Sequence, residues 1–152
     1  MADYGVAGYR RSGRAHSTVN IFFDVDDTIL SFTGSLRPNT HEVFERLIAD
    51  GHTVYIWSGV GIRSALVERE GLGHLVAGIY KKPLSDFSAG LELFGIPVVP
   101  DFVIDDYPEI VAHFGGLCIR PYHPGSQPDT ELLAIPALVE AMSQSRSRDG
   151  GA

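Results

Sequence analysis

IFFDVDDTIL, residues 21–30, decides how this chain is read. Its front half is as apolar as a strand covered on both faces of a sheet. Its back half carries three carboxylates, Asp24, Asp26 and Asp27. A buried carboxylate without a partner costs several kcal/mol, and like charges brought together add repulsion. The stretch therefore predicts a strand driven into a core, with its carboxyl end opening on a place where something positive is held.

Outward from this strand, read over 19–25, strand-like and helix-like segments alternate. The order is a helix over 39–51, a strand over 53–58, a helix over 62–70 and a weaker strand over 75–80. A short helix over 85–95, a strand over 101–106, a helix over 108–115, a strand over 116–119 and a last helix over about 129–142 complete it. Asn39 and Ser85 are read as helix caps, Gly51 as the exit of the first helix, and Pro136 as the cause of a kink or late start in the last one. Strands separated by helical crossovers predict an α/β protein: a three-layer, Rossmann-like fold on a five-stranded parallel sheet.

Composition sets the frame around that domain. With 152 residues, 44% apolar and 20% charged, the chain is an ordinary globular one, with no apolar run near the ~20 residues of a membrane span. Residues 19–143 are expected to form the domain, with 1–18 a flexible, locally basic arm and 144–152 a disordered polar tail. The net charge of −7 opposes general affinity for nucleic acid or anionic membrane, leaving nucleic acid as a substrate at most. One cysteine, Cys118, and no secretory signal pattern point to the cytoplasm. Cys118 is expected to be buried in its strand, and His41, His52, His74 and His113, which lack metal-ligand spacing, to lie at the surface or at helix ends.

In parallel sheets, function gathers at the carboxyl ends of the strands. Asp24, Asp26 and Asp27 end the first strand, Ser58 the second, and Asp105 and Asp106 the fourth. Oxygen ligands without a companion set of cysteines or histidines suit a hard divalent cation, Mg²⁺ by default, since it accepts one or two carboxylates and leaves room for phosphate oxygens.

These residues also fall into four ordered motifs: FFDVDDTIL with Asp24, Asp26 and Thr28; TVYIWSG with Ser58; YKKPL with Lys82, or alternatively Lys81; and FVIDD with Asp105 and Asp106. In this the chain resembles the haloacid dehalogenase superfamily of phosphotransferases. The resemblance implies a Mg²⁺-dependent phosphatase in which Asp24 is the nucleophile, forming an aspartyl-phosphate, and Asp26 the general acid and base. It implies phosphate binding by Ser58, Gly59 and Lys82, with Thr28 in the catalytic set. The metal would be held by Asp24, the Asp26 carbonyl and a motif-four acid, Asp105 or its neighbour Asp106. Acid at Asp26 favours a phosphatase over the superfamily's dehalogenases and ATPases. The alternatives are phosphoryl transfer to an acceptor other than water, and a catalytically silent phospho-ligand binding protein.

The segments between Thr28 and Ser58, and between Ser58 and Lys82, are too short for the cap domain common in that superfamily. An open site is expected, taking a phosphorylated small molecule or macromolecular end, or covered by a neighbouring subunit in an oligomer. A flap over 30–38 offers Phe32 and Arg37 to a substrate, and the segment 120–128 offers Arg120 or His123. SGVGIRS (58–64) is an incomplete dinucleotide loop; its glycines are better read as a close approach to phosphate.

Overall fold

The computed structural model describes residues 17–125 and 127–150. Five strands, β1 (Asn20–Phe23), β2 (Thr53–Ser58), β3 (Gly78–Lys81), β4 (Phe102–Asp105) and β5 (Gly116–Cys118), form one sheet in the order β3-β2-β1-β4-β5. Every pairing is parallel, and Phe23 stands beside Ile56 of β2 and Ile104 of β4. The helices are α1 (Thr40–Ala49), α2 (Ser64–Arg69), α3 (Phe87–Leu93), α4 (Pro108–Phe114) and α5 (Ile135–Asp149).

Alternation along the strands sorts the core into two halves, because successive side chains point to opposite faces. Ile21, Phe23, Val54, Ile56 and Ile104 pack with Val43, Phe44 and Leu47 of α1, Leu66 and Val67 of α2, and Ile135 and Val139 of α5. Phe22, Tyr55, Trp57 and Val103 pack on the opposite face with Leu91 of α3 and Ile110 and Val111 of α4. Both faces of the sheet are thus covered, which is why β1 reads as an unbroken apolar run.

Strand order reverses at β1: β2 and β3 lie to one side, β4 and β5 to the other. The carboxyl ends of β1 and β4 flank that reversal, the place where open α/β sheets hold ligands. β1 stops at Phe23 because the Val25 carbonyl collects the amides of Thr28, Ile29 and Leu30, curling the chain out of the sheet.

Several local expectations are corrected. Asn39 sits in the left-handed region (φ 71°) with no side-chain cap, and the Thr40 hydroxyl instead donates to the Arg37 carbonyl at 2.7 Å. Asp86 (φ 45°), not Ser85, precedes α3, again without a side-chain cap. Cys118 is exposed, since edge strand β5 is covered on too little of its length to bury it. His52 is buried, its Nδ1 accepting the Val19 amide at 3.1 Å. Gly51 (φ 90°) does close α1, and a 3₁₀ turn over Glu131–Ala134 gives the last helix its late start at Ile135, with Pro136 in its first turn.

The tail expected to be disordered from 144 is helical through Asp149. Its anchors are long-range: Arg146 pairs with Asp101 at 2.8 Å, while Ser143 and Ser17 exchange hydroxyl-to-carbonyl hydrogen bonds. Of the arm expected over 1–18, residues 1–16 lie outside the described residues, as do 151 and 152 of the tail. No helix among the described residues is long and apolar enough to cross a membrane.

Candidate active site

The Asp24 amide donates to the Ile104 carbonyl at 3.0 Å, fixing Asp24 at the reversal between β1 and β4. Its carboxylate is buried and fully engaged. Oδ1 accepts from Lys82 Nζ at 2.8 Å and Oδ2 from Thr28 Oγ1 at 3.0 Å. Thr28 is brought there by the same turn that ends β1, four residues on.

Lys82 follows β3, and its amide donates to the Ser58 carbonyl at the end of β2 at 2.9 Å, so that its side chain reaches inward to the end of β1. Nζ also lies 2.8 Å from Asp105 Oδ2. Asp105, fully buried at the end of β4, accepts the Tyr107 amide on its other oxygen at 3.0 Å. Lys81 points away: it is exposed, with its ammonium 5.0 Å from the centre of the Phe94 ring. The geometry thus selects Lys82 from the two lysines.

One carboxylate oxygen each from Asp24, Asp105 and Asp106 come within 4.8 Å of one another. One lysine against three acids leaves the cluster short of positive charge, and the electrostatics register this. Burial first, and then Asp105, push the Asp24 carboxyl up to about 7, although Lys82 and Thr28 pull the other way. Burial also raises Asp105, again opposed by Lys82 and by the Tyr107 amide. Burial alone would depress the Lys82 ammonium, but the two carboxylates outweigh it and hold it above the usual lysine range. An all-carboxylate donor set with unbalanced negative charge fits a hard divalent cation.

Around this centre, Ser58 is buried and its hydroxyl accepts the Val60 amide at 3.3 Å. Gly59 lies under Leu84, whose Cδ2 would stand 2.7 Å from any Cβ placed there. The three acids of the opening stretch have separate fates. Asp24 enters the buried centre. Asp26 points outward with its side chain 52% exposed and pairs with Arg63 at 2.7 Å. Asp27 adopts φ 62° and its carbonyl accepts the Tyr122 amide at 2.7 Å.

Two features depart from the sequence reading. Arg37, one of two residues the flap offers to a substrate, is buried: it makes two bonds to Asp129 at 2.9 and 3.0 Å, a third to the Thr28 carbonyl at 3.0 Å, and lies over Tyr122. It braces the flap rather than facing outward, because Tyr122 and Asp129 return to the turn after β1. Arg120 is exposed and lies 3.9 Å from Glu131, so that segment meets the site through Tyr122 instead. Arg63 was not foreseen at all. The signal available was a cation at the head of a helix, in the loop after β2, which must run beside the loop after its neighbour β1.

The family model of haloacid dehalogenase-like hydrolases matches residues 21–79. That span holds Asp24, Thr28 and Ser58 and stops short of Lys82 and Asp105, which the sheet returns to the same centre. No curated protein matches the chain.

Proposed function

We propose that this chain, which belongs to the haloacid dehalogenase-like hydrolases, is a Mg²⁺-dependent phosphomonoesterase that works through an aspartyl-phosphate on Asp24. The observation that carries this reading is the single ammonium of Lys82 held 2.8 Å from both Asp24 and Asp105 in a buried, acid-rich centre. A lone structural lysine would be matched by one acid. Here the excess acid is useful only if further positive charge joins it when a phosphate arrives.

In this reading Asp24, Asp105 and Asp106 would hold a Mg²⁺, with the Asp26 carbonyl as a further oxygen donor, and the ion would supply charge neutralisation for the phosphoryl oxygens. Thr28 fixes one oxygen of Asp24 so that the other faces the phosphorus. That oxygen attacks, the ester P–O bond breaks, and the leaving oxygen takes a proton from Asp26. Water then attacks the aspartyl-phosphate, Asp26 recovers a proton, and inorganic phosphate departs with Asp24 restored. Lys82 steadies the nucleophile before attack and the phosphoryl charge during it, while Ser58 and the Gly59 backbone receive phosphate oxygens. For Asp26 to act, its carboxylate must exchange Arg63 for the leaving group.

The test is hydrolysis of a generic aryl phosphate by the purified protein, with Mg²⁺ and with chelator, beside Asp24→Asn. Metal-dependent turnover that vanishes in the variant is expected. Turnover undiminished in Asp24→Asn would remove the nucleophile and with it the mechanism.

A further inference from the structure

Exposed large apolar side chains are ordinarily scattered singly over a protein surface. Here five of the ten exposed among the described residues, Phe32, Val60, Ile62, Leu84 and Tyr107, lie on the loops leaving the carboxyl ends of β1, β2, β3 and β4. Each is tied to a group of the candidate site. Leu84 lies over Gly59, the Tyr107 amide bonds Asp105, and the Val60 amide bonds the Ser58 hydroxyl. Ile62 adjoins Arg63, the partner of Asp26, and Phe32, 91% exposed, tops the flap that springs from the same turn as Thr28. Leu84 also lines a cavity of about 730 Å³ together with Lys82, Leu93 and Phe94.

Resting on the phosphatase reading, we propose that this apolar collar selects phosphomonoesters whose leaving group has an apolar body of several carbons. The polar centre holds the phosphoryl group, and the collar receives what is attached to it. A polyhydroxylated leaving group would have to desolvate hydroxyls against side chains that offer no hydrogen bonds. An apolar one gains from burial and closes the open centre to water, which strengthens the charge interactions within it.

The experiment compares kcat/KM for n-hexyl, ethyl and glycerol phosphates with Mg²⁺. All three leave as aliphatic alcohols once Asp26 has given the ester oxygen its proton, which limits differences in intrinsic reactivity. A fully buried methylene is worth roughly a factor of four, so even half-burial of the four extra ones predicts an advantage of about tenfold or more for hexyl over ethyl phosphate. Phe32→Ser and Leu84→Ser, both at exposed positions, are expected to reduce that ratio severalfold. Leu138→Ser, at an exposed position on α5, should keep it. Hydrolysis of all three esters with no preference for hexyl, or a ratio untouched in both collar variants, overturns the collar and leaves the phosphatase reading standing. Hydrolysis of none of them, and of no aryl phosphate, removes the phosphatase reading and the collar together.

Discussion

Replacing Asp24, the proposed nucleophile, should make the metal-free protein more stable. The Asp24 carboxyl stands at about 7 against an ordinary 3.8, and at about 1.4 kcal/mol per unit this gap is on the order of 4 kcal/mol. Between pH 4 and 7 the folded state keeps a proton on Asp24 that the unfolded chain has released, so stability falls as pH rises through that window. Below it both states are protonated and the cost vanishes; above it both are ionised and the cost is constant. Asp24→Asn removes the titration while keeping the shape, and Lys82 retains Asp105 as partner. Urea denaturation with chelator should therefore show the variant close to wild type at pH 4 and on the order of 4 kcal/mol more stable at pH 8. Mg²⁺ at about a hundred times its Kd should stabilise the wild type by roughly 2.7 kcal/mol and the variant far less. A variant no more stable than wild type at pH 8, or a gap that ignores pH, would refute the claim that the centre is short of positive charge.

Lys82→Met leaves two buried carboxylates without their shared cation, so the metal-free protein should lose about 3–5 kcal/mol at pH 8 and recover much of it at pH 5, measured by the same denaturation. Asp26→Asn should lower kcat by about two to four orders of magnitude with little change in thermal midpoint, because that side chain is half-exposed. Arg37→Met, which strands Asp129 and frees the flap from its brace, should cost about 3–5 kcal/mol in denaturant at every pH from 6 to 9.

The fold was legible because β1, β2 and β4 are buried on both faces, and such strands announce themselves as apolar runs whose boundaries are polar. TVYIWS matches β2 residue for residue, whereas β3 begins at Gly78 rather than 75 because Leu75 is taken into a turn on Leu72. Asp24, Lys82 and Asp105 could be foreseen as neighbours since parallel strands deliver their ends to one edge. What stayed hidden depended on side-chain direction and on contacts distant in sequence. Nothing local distinguishes the outward Asp26 from the inward Asp24, and the burial of Arg37 requires Asp129, which lies on the far side of the whole sheet in chain order. The helical tail was missed for the same reason: the contacts that anchor it, Arg146 to Asp101 and Ser143 to Ser17, are distant in sequence.

The position of β1 at the middle of the sheet has a price in the order of synthesis. This strand leaves the ribosome first and can zip to β2 early, but its other edge, at Phe23, waits for Ile104. Translation at roughly 5–20 residues per second puts some four to sixteen seconds between the two. Throughout that interval the greasiest backbone of the nascent protein offers unpaired amides to any passing strand, and Asp24 has no seat of its own until β4 slides home.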